Sequence, residues 1–232
     1  MRVESRAQAS HRLFIQEIKY GTLLALLVGL VLAAPLLSAR GLHVVNVLVI
    51  SVVLGVNLWI AAQRRAQFVI MAALTSCWLL EMCSLHLLGQ RWLGAWGVLP
   101  GGLAFGYGAS VLLRDVLSQE RVTVDTILGS ACIYLMIGVT FALLFQAVSM
   151  VVPDAFMYQG SLFVQDPAAA FDQRFLYFSF VTMTTLGYGD MTPNDEFAGS
   201  LAALEAMTGV LFIATLVARL VTMYEPRRRA AG

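Results

Sequence analysis

Long runs of hydrophobic residues, separated by short polar segments, follow one another along most of this 232-residue chain. A helix crosses a hydrocarbon core of roughly 30 Å with about 20 apolar residues, because each residue advances the helix by about 1.5 Å. The stretches that satisfy this requirement are predicted to span a membrane: Tyr20–Ala39, His43–Ala62, Gln67–Leu88, Leu93–Leu113, Thr126–Val152 and Phe197–Tyr224. A further apolar stretch, Phe175–Thr185, is too short to span and lies between the last two.

Composition agrees with a chain that is mostly embedded in lipid. Hydrophobic residues make up 59% of the sequence, charged residues only 12%, and the mean hydropathy is +0.78, whereas soluble domains carry about 25% charged residues. The net charge of +1 offers no basic surface to nucleic acid, so no nucleic-acid partner is expected. Because Gly-x-Ser-x-Gly, His-Glu-x-x-His and phosphate-binding loop motifs are missing from the sequence, we predict that the protein is not an enzyme.

The basic residues predict an orientation. With the N-terminus in the cytoplasm, 12 of the 15 Lys and Arg residues fall on the cytoplasmic side of the predicted spans. Only Arg40, Arg91 and Arg174 then lie outside. This excess of positive charge on one side predicts that both termini are cytoplasmic.

Residues 184–190 read Thr-Thr-Leu-Gly-Tyr-Gly-Asp and carry the most informative pattern of the chain. Gly187 and Gly189 stand at alternate positions, and glycine adopts the positive φ that other residues resist. Alternating conformations of this kind aim successive carbonyl oxygens towards one axis, where a ring of carbonyls replaces the hydration shell of a cation. The Thr185 hydroxyl would add an inner ligand, and the preceding helix would direct its partially negative C-terminal end towards the same axis.

This segment resembles the pore helix and selectivity filter of potassium channels, whose signature loop reads Thr-Val-Gly-Tyr-Gly. Leu186 replaces Val, and since only the backbone carbonyl at this position meets the ion, we expect potassium selectivity to survive. The resemblance implies K⁺ ions as the only bound cofactor, with Thr185, Leu186, Gly187 and Tyr188 as their carbonyl ligands and Gly189 completing the filter.

The resemblance also implies a set of residues that support the filter. Tyr177 and Phe178 stand where voltage-gated members carry a Trp-Trp pair, so we expect an aromatic cuff that hydrogen-bonds to Tyr188 or Asp190. Asp172 is predicted to cap the pore helix. The implied support residues are Thr184, Asp190, Tyr177, Phe178 and Glu205.

The last predicted span resembles the inner helices of bacterial two-helix pore modules. Gly209 falls at the position of a hinge glycine, and close packing against a neighbouring helix is the alternative role. Glu205 lies one turn earlier on the same helical face. A carboxylate inside a bilayer costs about 2.5–3.5 kcal/mol, so it should face protein or water. Glu205 therefore either braces the pore helix, which we prefer, or lines the ion cavity.

The fourth predicted span contains a second Gly-Tyr-Gly at residues 106–108, without the preceding threonines or the following acid. We interpret these glycines as helix-packing residues and expect a kink at Pro100. A voltage-sensing helix carries Arg or Lys at every third position, but this span has only Arg114, at its cytoplasmic end. Steep voltage gating is therefore not expected.

These observations predict an all-α membrane protein with six transmembrane helices, a re-entrant pore helix and a filter loop. One chain supplies one loop, so the pore is predicted to be a homotetramer within membrane lipid. The expected divisions are a cytoplasmic arm (1–19), a four-helix transmembrane domain (20–122), a pore domain (123–224) and a cytoplasmic tail (225–232).

The predicted function is passive, potassium-selective conduction across the inner (plasma) membrane of a bacterial cell. Two alternatives stay open: a weakly selective cation channel, and a non-conducting subunit that needs a partner.

Overall fold

A computed structural model describes residues 20–37, 43–61, 65–88, 97–119, 123–164 and 171–223. These residues are mostly helical. The helices are α1 (Tyr20–Leu37), α2 (His43–Ala61), α3 (Arg65–Leu88), α4 (Leu99–Ser118), α5 (Val124–Val151), α6 (Gln173–Met183) and α7 (Glu196–Met223). Three short strands complete the described chain: β1 (Phe156–Tyr158), β2 (Ser161–Leu162) and β3 (Met191–Pro193). The predicted cytoplasmic arm and tail, with Arg40 and Arg91, lie outside the described residues.

Four of the helices are long and apolar enough to cross a membrane, which agrees with a membrane protein. They are Tyr20–Leu37, Arg65–Ser84 within α3, Val124–Val151 and Glu196–Arg219 within α7. The apolar part of α2, Val47–Ile60, is shorter. Helices are thus present at all six predicted positions, while the count of six spans stays a prediction.

Helix α4 differs from its prediction at both ends. It begins at Leu99 instead of Leu93 and continues to Ser118, which places Pro100 in the first turn. A proline in this position needs no hydrogen-bonded N–H and fits the first helical turn. The expected kink at Pro100 was therefore wrong, because Pro100 begins the helix instead of interrupting it.

Helix α5 packs against α4, α6 and α7, and its most extensive contact is with α4. Small residues of α4 bring its backbone close to α5: a methyl group added at Gly106 would lie 3.3 Å from Thr140 Cγ2, and one added at Gly102 would lie 3.4 Å from Leu143 Cβ. The interpretation of residues 106–108 as helix-packing glycines is confirmed.

A small sheet of three antiparallel strands, ordered β2-β1-β3, was not expected from the sequence. Strands β1 and β2 form a hairpin whose two turn residues, Gln159 and Gly160, have φ of 50° and 77°. Two successive positive-φ residues form the turn that suits a two-residue hairpin. Gln is an unusual residue for the first position, so the sequence carried only a weak hairpin signal. Strand β3 follows the loop at 184–190 and pairs with β1.

Candidate functional site

Helix α6 begins at a cap that fixes its position against α5. The Asp172 carboxylate accepts a hydrogen bond from Arg174 N at 3.0 Å, which confirms the predicted cap. Buried Gln146 of α5 accepts a hydrogen bond from Asp172 N at 3.2 Å. The Arg174 guanidinium pairs with Asp172 at 2.6 Å and lies 4.3 Å from the centre of the Phe163 ring. The start of α6 is thereby attached both to α5 and to the segment after β2.

An aromatic cluster holds the buried face of α6. The Phe178 ring lies 4.9 Å from Phe145 of α5 and 5.7 Å from Phe156 of β1, both edge-on. Phe156 also packs edge-on against Phe175 at 5.2 Å. Edge-to-face pairs at these distances each contribute about 0.5–1.5 kcal/mol beyond their buried area. Phe178 therefore anchors α6 to the protein core, and only its neighbour Tyr177 turns towards the loop.

The backbone leaves the helix sharply after Met183. The N–H groups of Leu186 and Gly187 both donate to Val181 O, at 2.9 and 3.3 Å, and Thr185 N donates to Thr182 O at 2.9 Å. These bonds close the end of α6 and start the loop in one defined direction. The end of the helix is therefore coupled rigidly to the first residues of the candidate filter.

Every second residue of the loop adopts a left-handed conformation. The φ angles are 59° at Thr185, 56° at Gly187 and 79° at Gly189. The two glycines were expected at positive φ, whereas Thr185 was not, because a β-branched residue resists this region. This alternation agrees with the sequence-based expectation of alternating conformations along the loop. Side chains from Thr184 to Gly189 are exposed, including Tyr188 at 66%.

Asp190 connects the loop to the rest of the protein through both of its carboxylate oxygens and its carbonyl. The Tyr177 hydroxyl donates to Oδ2 at 2.9 Å, and Met191 N donates to Oδ1 at 3.1 Å. Gln159 N, from the hairpin turn, donates to the carbonyl oxygen of Asp190 at 2.7 Å. The sequence predicted a hydrogen bond from the aromatic cuff to Tyr188 or to Asp190. In the structure, Tyr177 donates to Asp190. Partial desolvation and the Asp190 hydrogen bond raise the pKa of Tyr177 to about 12, so the phenol remains a donor at neutral pH.

Glu205 and Gly209 of α7 both face α6. Glu205 is fully buried, with its Oε1 within hydrogen-bond distance of Ser179 Oγ, so its position agrees with the bracing role. A methyl group added at Gly209 would lie 2.4 Å from the Met183 carbonyl oxygen. Close packing of Gly209 on the last turn of α6 is thus a feature of this conformation, and a hinge role stays a prediction. Ser179 was missed by the sequence reasoning, since a serine within an apolar helix gives no pattern of its own.

Residues 131–225 match a family model described as an ion channel. This match supports an ion channel. It spans most of α5, the whole of α6 and its loop, and α7, which is less than half of the chain. Searches of curated proteins and of solved structures returned no match. The family is one of channels and not of enzymes, and the apolar helices agree with a location in a membrane.

Proposed function

We propose that this chain is one subunit of a potassium-selective channel. The observation that carries the proposal is the alternation of left-handed residues at Thr185, Gly187 and Gly189, within a segment that joins a short buried helix to a long apolar one. Residues at these positions turn successive peptide groups, so that carbonyls along the loop share one direction. The ion-channel match over the same segment gives further support.

The proposed ligands are the carbonyl oxygens of Thr185, Leu186, Gly187 and Tyr188, with Gly189 at the outer end of the row. A ring of carbonyls replaces the water around K⁺ as the ion enters. Helix α6 directs its C-terminal end, with its partial negative charge, to the inner side of the loop. The exposed loop residues lie on the surface of a single chain, and we propose that four copies bring these surfaces together around one axis.

The proposed channel sits in the inner membrane with six spans and cytoplasmic termini, and it opens without steep voltage dependence. Arg114 is the basic residue of α4 and lies in the C-terminal half of the helix, on the side that the proposed orientation makes cytoplasmic. Moving one charge through the membrane supplies about 2.3 kcal/mol per 100 mV. A helix with so little charge gives only a shallow response to voltage.

Flux measurements on the purified chain in liposomes test the proposal. Wild type is expected to pass K⁺ in large excess over Na⁺, and Tyr188→Ala is expected to lose that preference. Tyr107→Ala is the matched control, since Tyr107 occupies the same position in the second Gly-Tyr-Gly, within α4. The assembled particle should have about four times the 25.3 kDa mass of one chain.

Three results would overturn the proposal. Equal Na⁺ and K⁺ fluxes through the wild type would identify a weakly selective cation channel. An absence of flux at every membrane potential, from chains that assemble normally, would favour a non-conducting subunit. Loss of selectivity in Tyr107→Ala alone would move the ion path away from residues 184–190.

A further inference from the structure

Helices α5, α6 and α7 meet at a small polar cluster inside the apolar core. Ser179 of α6 lies between Gly138 of α5 and Glu205 of α7. Ser179 Oγ is 2.7 Å from the Gly138 carbonyl oxygen and also lies within hydrogen-bond distance of Glu205 Oε1. Ser179 and Glu205 are both 0% exposed. The cluster therefore links all three helices at a point that water does not reach.

Two hydrogen bonds in this cluster need two protons. The Ser179 hydroxyl carries one, and a backbone carbonyl carries none. If Glu205 were ionised, both contacts would have to share that single hydrogen. A protonated Glu205 carboxyl would satisfy both contacts in full, by donating to Ser179 while Ser179 donates to Gly138.

Among the described residues, no cation lies beside Glu205 to balance a negative charge. The titratable group that faces it from α5 is the Tyr134 phenol, and α6 presents Ser179. Arg174 of α6 pairs with Asp172, and Arg219 of α7 donates to the Gln119 carbonyl oxygen at the end of α4. Within the described residues, Glu205 Oε2 has no hydrogen-bond partner. A buried carboxylate in such a place is costly, whereas a neutral acid is tolerated.

We propose that Glu205 is a positioning residue that holds the pore helix α6 in place by a proton it donates to Ser179. The effect on conduction rests on the proposed function. The presence of the proton on Glu205 does not depend on that function. The contacts of α7 with α6 include Ser179 in the middle of α6 and Met183 at its end, beside Gly209. Because the loop starts directly after Met183, a shift of α6 moves the proposed carbonyl ligands.

Infrared difference spectroscopy tests the proton directly. The wild-type chain at neutral pH should show a protonated-carboxyl band that shifts in D₂O and is missing from Glu205→Gln. Glu196→Gln is the matched control, because Glu196 lies at the exposed start of the same helix and should leave this band unchanged. The proposal would be overturned if the spectrum of Glu205→Gln lacked an ionised-carboxylate band of the wild type and kept the protonated-carboxyl band.

Variants that differ in hydrogen-bond donors test the positioning role. The Gln amide donates as the neutral acid does, so Glu205→Gln should keep the K⁺ to Na⁺ flux ratio. Glu205→Leu removes the donor and should reduce that ratio about tenfold, because Ser179 loses a buried partner. Ser179→Ala should produce a similar reduction, and combining it with Glu205→Leu should add little.

A pH series separates this role from simple packing. Raising the pH until Glu205 ionises should reduce the flux ratio of wild type but not of Glu205→Gln. Equal pH responses of the two proteins, or full selectivity in Glu205→Leu, would contradict the positioning role. A wild type that assembles but passes no ion would defeat the proposed function alone, since the infrared band still decides whether Glu205 holds its proton.

Discussion

The chain contains the tripeptide Gly-Tyr-Gly twice, and the two copies have opposite structures. In α4, residues 106–108 are helical, and a methyl group added at Gly108 would lie only 2.8 Å from Met136 Cε. In the loop, Gly187 and Gly189 have positive φ, and added methyl groups would meet nothing within 4 Å. In the helix, small size matters most at Gly108 and less at Gly106, whereas the loop glycines supply conformational freedom. A tripeptide alone therefore does not identify a filter.

The neighbouring residues explain this difference. Residues around 106–108 continue a helix in both directions, so each N–H finds its partner one turn earlier. At the loop, Val181 O accepts from both Leu186 and Gly187, and the chain turns away from the helix axis. Asp190 then fixes the far end through Tyr177 and Met191. The loop is held at both ends. Between these ends, the backbone alternates in conformation, with positive φ at Gly187 and Gly189.

The largest expected effect comes from Gly187→Ala. Alanine in a left-handed conformation costs about 1–2 kcal/mol, and no neighbouring atom compensates for it. The loop should relax to a different backbone, turn a carbonyl away from the ion path and lose K⁺ over Na⁺ selectivity by more than about tenfold. The liposome flux ratio measures this loss.

Gly106→Ala is the matched control in the other tripeptide. Alanine favours the helix by about 0.5–1 kcal/mol, and the added methyl group is only slightly crowded, at 3.3 Å from Thr140 Cγ2. Selectivity should be unchanged. The comparison between the two tripeptides fails if Gly187→Ala retains selectivity or Gly106→Ala abolishes it.

Gly209→Ala has the next largest expected effect. It tests whether Gly209 is needed for its small size, as in helix packing, or for conformational freedom, as in a hinge. The added methyl group would lie 2.4 Å from the Met183 carbonyl oxygen and 2.6 Å from Met183 Cγ, so α7 must move away from α6. Overpacking of this kind costs about 1–3 kcal/mol. We expect a lower thermal unfolding temperature for the variant in detergent.

Gly55→Ala provides the baseline for that measurement, because a methyl group added at Gly55 of α2 meets nothing within 4 Å. Its stability should be unchanged or slightly raised, as alanine favours a helix. A Gly209→Ala protein that is as stable as wild type but opens less readily would instead support the hinge role.

The sequence was sufficient to predict much of this structure. Runs of about 20 apolar residues predicted where the helices lie, apart from the ends of α4, and Asp172 was correctly expected to cap α6. The alternate glycines predicted positive φ at Gly187 and Gly189. These features depend on neighbours in the chain, where periodicity, capping and glycine chemistry act directly.

Features that depend on distant contacts were missed. The pairing of β1 with β3 brings Phe156 next to Pro193, and the bond from Gln159 N to Asp190 O joins residues that no local pattern connects. Ser179 acquires its role from Gly138 and Glu205, which lie on two other helices.

The start of α4 was misplaced for a different reason. The residues before Leu99 are as apolar as those after it, so hydropathy marks no boundary there.

The smallest expected effect is that of Tyr177→Phe, which tests how the outer end of the loop is held. The variant removes the 2.9 Å hydrogen bond to Asp190 Oδ2 and leaves the ring in place. A hydrogen bond of this type contributes about 0.5–1.5 kcal/mol. We expect selectivity to be kept at first, while K⁺ flux declines several times faster during sustained conduction as the loop collapses.

Tyr107→Phe is the control, since Tyr107 lies in the tripeptide of α4 and removing its hydroxyl should not change the decline. The pKa of Tyr177, about 12, gives a second criterion. Because the phenol donates to Asp190 only while protonated, the bond persists through the neutral range and is lost as the pH rises towards 12. The decline in wild-type flux should therefore be independent of pH near neutrality. A Tyr177→Phe channel as durable as wild type would leave the hydrogen bonds from Met191 N and Gln159 N as those that hold Asp190.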